Sequence, residues 1–99
     1  MRLNPQQQDA IINTFLEVFD KGEIRLFGSR VDDAQYGGDI DLYITPDDRD
    51  QLAENRITFL ARLKRRIGDQ KIDLVIAAEV PRPIDLVAQE QGVVLCRKH

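Results

Sequence analysis

The sequence predicts an α/β domain: one small mixed sheet of about four strands with flanking helices. Three observations predict it. Ninety-nine residues, 42% hydrophobic and 31% charged, have the composition of a folded domain. A chain of that size buries roughly 60–65% of its unfolded surface around one core, so residues 1–99 read as a single domain. Two runs, DIDLYI (39–44) and KIDLVIAA (71–78), place apolar and acidic residues at a period of two, while the stretches around them repeat apolar residues at helical spacing.

Taken in order, Asn4-Pro5 opens a first helix, with Asn4 as cap and Pro5 at the first helical position. Ile11, Ile12, Phe15, Leu16, Val18 and Phe19 form its apolar stripe, and Lys21-Gly22 is expected to stop it. EIRLF (23–27) alternates and reads as a strand that ends at Gly28-Ser29. Residues 30–38 read as a loop or short helical turn. In the strand 39–44, Ile40, Leu42 and Ile44 face one way and Asp39, Asp41 and Tyr43 the other. Thr45-Pro46-Asp47-Asp48 then reads as a helix opening: hydroxyl cap, proline, and acids where the helix dipole favours them. Leu52, Ile57, Leu60, Leu63 and Ile67 are its expected core stripe, and Arg62, Lys64, Arg65 and Arg66 sit in its last turns. The run 71–78 is a third strand, with Ile72, Leu74 and Ile76 on one face and Asp73 on the other. Pro81 and Pro83 break the chain. A short helix over 84–91 ends at Gly92, and Val93 to Cys96 form the last strand.

Composition excludes several function classes. No apolar run is long enough to span a membrane, and the N-terminus lacks the apolar core of a secretory signal. One cysteine, Cys96, makes no internal disulfide and points to a reducing, cytoplasmic compartment. One histidine, His99, rules out histidine-rich zinc sites and argues against a Ser-His-Asp triad. A net charge of −3 argues against a free-standing nucleic-acid binder. The charge is uneven: residues 28–50 carry seven acids against two bases, and residues 51–99 carry nine bases against six acids. An acidic block of that kind is either a solvated loop or a cation site.

The carboxylates decide between these. Asp39 and Asp41 are two residues apart on one strand, so their side chains leave the same face about 6–7 Å apart. Like charges on one face repel unless a cation lies between them. Asp73 holds the equivalent place in its own strand, and the three converge if the two strands are neighbours. Hard oxygen donors on a rigid sheet suit Mg²⁺, and three of them could clamp two ions for in-line phosphoryl displacement. Gly28-Ser29, at the end of the preceding strand, offers backbone amides and a hydroxyl for phosphate oxygens. Neither a P-loop nor a dinucleotide-binding glycine motif is present.

A strand, Gly-Ser, nine residues, Asp-x-Asp on a second strand, then a helix and a strand with one more Asp: this arrangement resembles the nucleotidyltransferase superfamily of DNA polymerase β, and within it the minimal nucleotidyltransferases (MNT). The resemblance covers nearly the whole chain. It implies the polymerase β-like fold, with Asp39, Asp41 and Asp73 as catalytic metal ligands for two Mg²⁺ ions and Asp73 also helping to activate the acceptor hydroxyl. It implies that Gly28 and Ser29, with Arg30 the nearby base, hold the phosphates of ATP. Val31-Asp32-Asp33 stands where many members carry Arg-Gly. The implied reaction is transfer of a nucleotide, AMP from ATP, to an acceptor hydroxyl. The implied partner is a small helical HEPN protein, often a toxic ribonuclease, which the nucleotidyltransferase restrains as antitoxin by adenylylating it. The alternative is a catalytically weak binding module that masks such a partner without transfer.

Overall fold

The computed structural model describes residues 3–27, 40–68 and 70–99. Three helices and four strands follow in the expected order: α1 (Pro5–Val18), β1 (Gly22–Phe27), β2 (Ile40–Pro46), α2 (Leu52–Ile67), β3 (Ile72–Ile76), α3 (Pro83–Gln91) and β4 (Val93–Lys98). The sheet runs β3-β2-β1-β4. β1 pairs antiparallel with β2 and with β4, and β2 pairs parallel with β3, so the sheet is mixed as predicted. None of the described helices is long and apolar enough to cross a membrane.

The start of α1 follows the sequence closely. The Gln7 amide donates to Asn4 Oδ1 at 2.7 Å and the Asn4 amide donates to Gln7 Oε1 at 3.2 Å, a reciprocal cap ahead of Pro5. Its end does not. The helix stops at Val18, and Asp20 takes the left-handed turn at φ +65°. Gly22 is already the first residue of β1. It faces Pro46 across the ladder at φ +126°, and a side chain there would clash with the Thr45 carbonyl. The glycine serves the close approach of two strands rather than the helix stop.

The expected helix opening at Thr45-Pro46 is also displaced. Thr45 pairs with Glu23 and Pro46 with Gly22, so both extend β2. β3 accompanies β2 only as far as Ile44, so Pro46 lies where β2 is paired on one side alone. α2 begins at Leu52 behind Gln51, which is left-handed at φ +59° and gives no side-chain cap. Within α2 the buried residues are Phe59 and Leu63, with Leu52, Leu60 and Ile67 packed at the margin of the core. Ile57 is 69% exposed, against its expected place in the core stripe. It lies two residues from Phe59, about 200° around the helix, and the larger aromatic takes the core position.

The strands divide the molecule into two faces. Ile24, Leu26, Ile40, Leu42, Ile44, Ile72 and Leu74 all point towards α1 and α2, where they meet Ile11, Phe15, Phe19, Phe59 and Leu63. Burying each large apolar side chain contributes about 1.5–3 kcal/mol. Phe19 bridges the two helices, stacked with Phe15 at 5.8 Å and edge-on to Phe59 at 6.0 Å. Outside the core, Arg66 ties α2 to α1 by donating to Glu17 Oε2 and to Thr14 Oγ1, both at 2.8 Å. The basic end of α2 is thus partly engaged in helix packing. α3 crosses the opposite face between the two sheet edges, above Phe27, Tyr43 and Ala77.

Candidate active site

Of the residues singled out from sequence, Gly28, Ser29, Arg30 and Asp39 lie outside the described residues. Asp41 and Asp73 lie within them, and the fold brings them together. In the parallel pairing of β2 with β3, Asp41 stands directly opposite Asp73. Neighbouring strands are about 4.8 Å apart, and side chains in register leave the same face. That face is the one under α3, shared with Tyr43, the next residue but one along β2. Asp73 is exposed and Asp41 half-buried, so the pair opens to solvent at the margin of α3.

Two acids in register are disfavoured in a sheet unless something else requires them. Their oxygens are hard donors of the kind Mg²⁺ takes, and Asp39 precedes Asp41 by two residues on the chain. The donor set therefore fits a divalent cation. Among the described residues no group of three or more His, Cys, Asp or Glu gathers for a metal. The third acid of the predicted set, Asp39, is outside them.

The wall beside these acids joins Tyr43, which the sequence leaves open between a pocket wall and simple packing, to Asp85 and Arg82, which carried no functional expectation. The Tyr43 hydroxyl is fully buried and donates to Asp85 Oδ1 at 2.8 Å, and Gln89 Nε2 reaches the same hydroxyl at 3.4 Å. Burial, and next the adjacent carboxylate, push the tyrosine hydroxyl above its ordinary pKa. Phe27 packs edge-on to Tyr43 at 6.2 Å. Asp85 is 1% exposed, and its carboxylate is saturated with donors. Arg82 Nε donates at 2.9 Å, the Arg82 amide at 2.6 Å and the Ala78 amide at 3.3 Å. The Arg82 side chain, followed by its amide, holds the Asp85 carboxyl far below the usual carboxylate range. The sequence did carry a signal for this residue. Arg82-Pro83-Ile84-Asp85 has proline at the start of a helix and an acid two positions later, where it reaches back to the open amides.

The other end of α3 is fixed by Arg25, which stands opposite Tyr43 in the β1–β2 ladder. Its Nη1 donates to the Gln89 carbonyl at 2.7 Å, and its Nε bonds the Glu23 carboxylate. Arg97 donates to the second oxygen of Glu23 at 2.6 Å. Burial raises the Glu23 pKa, but the hydrogen bonds from Arg25 and Arg97 outweigh it and leave the group below its ordinary value. α3 is thus pinned at both ends to the polar face of the sheet, with Asp41 and Asp73 beside it.

Three solved structures share this fold. A toxin–antitoxin with AMP-PNP superposes with a TM-score of 0.75 at 23% identity, covering 93% of this chain and 74% of its own. The toxin–antitoxin MntA-HepT gives 0.70 at 23% identity, covering 96% and 74%. A mutant of the toxin–antitoxin MntA-HpeT gives 0.76 at 22% identity, covering 98% and 76%. At these identities the likeness is one of fold, and it bears out the polymerase β-like architecture expected from sequence. No curated protein matches the chain in sequence. Residues 10–99 match the family model "Polymerase beta, Nucleotidyltransferase", and the chain belongs to that family.

Proposed function

We propose that this chain transfers AMP from ATP to an acceptor hydroxyl on a partner protein, as the antitoxin of a HEPN/MNT pair. The observation that carries the reading is the register of Asp41 with Asp73 on the face beside α3. Membership of the nucleotidyltransferase family supports the reaction class. The shared fold with toxin–antitoxin structures, one of them with AMP-PNP, supports the nucleotide and the protein partner.

In this reading Asp39, Asp41 and Asp73 hold two Mg²⁺ ions. Those ions, when bound, neutralise the phosphate charge and that of the leaving group. Gly28 and Ser29 bind the β- and γ-phosphates, with Arg30 beside them. The acceptor oxygen bonds to the α-phosphorus as the bond from that phosphorus to the bridging oxygen breaks. Pyrophosphate departs with the electron pair, and the hydroxyl proton leaves towards Asp73 and then solvent. The chain's contribution is placement and electrostatics. It works as one domain over residues 1–99, in the cytoplasm.

The test is incubation of the chain with ATP, Mg²⁺ and the protein that co-purifies with it, followed by intact mass. A gain of one adenylyl group on that partner is expected. A stable complex with no mass gain would favour the second reading, a binding module without transfer, which Val31-Asp32-Asp33 at the phosphate turn favours.

A further inference from the structure

Among the described residues β3 is an edge strand of the sheet, and its outer edge is lined by arginine. In the parallel pairing with β2, the Ile40 amide donates to the Lys71 carbonyl at 3.0 Å and the Ala77 amide to the Ile44 carbonyl at 2.8 Å. The odd-numbered residues of β3 therefore turn their backbone groups to β2, and Ile72, Leu74 and Ile76 turn theirs outward. Two guanidiniums sit on the outward carbonyls. Arg56 Nη1 donates to Leu74 O at 2.6 Å and Arg82 Nη2 donates to Ile76 O at 2.9 Å. Arg49 completes the set, 3.2 Å from Glu79. The three arginines surround a concavity of about 460 Å³ whose floor is apolar, made by Leu52, Ala53, Val75 and Ala77.

We propose that this groove docks an extended acidic segment of the acceptor protein, which adds to the sheet as a strand beside β3. The backbone edge argues for a peptide, because a strand supplies an amide at each outward carbonyl and a nucleic acid does not. Arg56 chiefly sets its charge, because Arg49 is paired with Glu79 and Arg82 with Asp85. Among the described residues Arg56 has no carboxylate partner, and a guanidinium displaced from a backbone carbonyl is a planar donor suited to a carboxylate. The incoming strand takes Leu74 O and Ile76 O; Arg56 turns to its acidic side chains, while Arg82 gives up only the Ile76 carbonyl and keeps Asp85. Such a strand lies about 4.8 Å from β3, with the side chain opposite Asp73 about 5 Å away on the same face. A tyrosine, serine or threonine in that register presents its hydroxyl to Asp73. This last step rests on the transfer reading above; the groove does not.

The test uses the isotope-labelled full chain and four probes. One is a synthetic peptide alternating Glu with Val and Thr around a central Tyr. The second is the same peptide N-methylated at alternate amides, the third has Lys for Glu, and the fourth is a single-stranded oligouridylate. The acidic peptide is expected to bind and to slow amide exchange at Leu74 and Ile76, and both the N-methylated and the Lys peptides to fail. Arg49→Gln and Arg56→Gln each lower affinity about tenfold. The N-methylated arm needs no variant, so a folding defect in either cannot mask the answer. Absence of peptide binding, binding without protection at Leu74 and Ile76, or displacement of the peptide by oligouridylate would overturn the proposal. Wild-type transfer to the partner by the Arg49→Gln/Arg56→Gln chain would overturn the groove and leave transfer standing. Peptide protection in a chain that transfers nothing would leave the groove and sink transfer.

Discussion

On the side of the sheet under α1 and α2, β1, β2 and β3 present Ile24, Leu26, Ile40, Leu42, Ile44, Ile72 and Leu74, all buried, with Ile76 partly buried at the end of β3. On the side under α3, the residues between them include Glu23, Arg25, Asp41, Tyr43 and Asp73. The first side is a continuous apolar layer whose members could exchange places with little change in chemistry. The second is a set of polar groups, most held by named bonds: Glu23 between two arginines, Tyr43 on Asp85, Asp85 on Arg82. Asp41 and Asp73 add to that set two acids placed in register on adjacent strands. One side of the sheet is built for stability. The other carries two acids in register, which the proposed function assigns to a ligand.

Substitutions separate the two sides. The largest effect on stability is expected from Phe59→Ala, which empties a fully buried site on the apolar side and costs about 3–5 kcal/mol in denaturant unfolding. A ligand acts next, on the opposite side. If the proposed function holds, Mg²⁺ with ATP at a hundredfold excess over Kd is expected to stabilise the chain by about 2.7 kcal/mol. That gain disappears in an Asp41→Asn/Asp73→Asn chain; a thermal shift that survives there places the ion elsewhere. Tyr43→Phe removes the hydroxyl that donates to Asp85 and accepts from Gln89, and costs about 1–2 kcal/mol.

Asp85 adds a pH signature to the polar side. Its carboxyl is held far below the ordinary range by Arg82, so on acidification the unfolded chain takes up the proton first, near pH 4. The stability it contributes is present above that pH and is lost as pH falls below it. The melting temperature of the wild type should decline below about pH 4, and more shallowly in Asp85→Asn. The smallest effect is expected from Ile57→Ala, within about 0.5 kcal/mol, because that side chain faces solvent.

The same contrast explains what the sequence made legible. Strands β2 and β3 were readable because alternation is a local signal, and Asp41 and Asp73 stood out as acids within it. Their meeting depended on strand order, which no local pattern contains; only the parallel β2–β3 pairing put them in register. The start of α1 was written locally in Asn4, Pro5 and Gln7. The start of α2 was not, because Thr45-Pro46 carries the composition of a cap while its place in the β1 ladder keeps it extended. Ile57 and Phe59 compete for one helix face, and packing against Phe19 decides for the aromatic. The network under α3 joins Tyr43 to Asp85 across 42 positions, and its long range hid it, although the proline and acid at the start of α3 were in plain view.

The most direct measurement of the central claim pairs activity with stability in one variant, Asp73→Asn. The residue is exposed and stands in register with Asp41, so replacing its carboxylate by the isosteric amide removes one of two neighbouring acids without opening a cavity. Metal-free stability is expected to hold or to rise by about 0.2–1 kcal/mol. Adenylyl transfer to the partner, read by intact mass, is expected to fall by about 10³-fold. Transfer at the wild-type rate, or a loss of transfer accompanied by a collapse of the fold, would contradict the assignment of the chemistry to this face of the sheet.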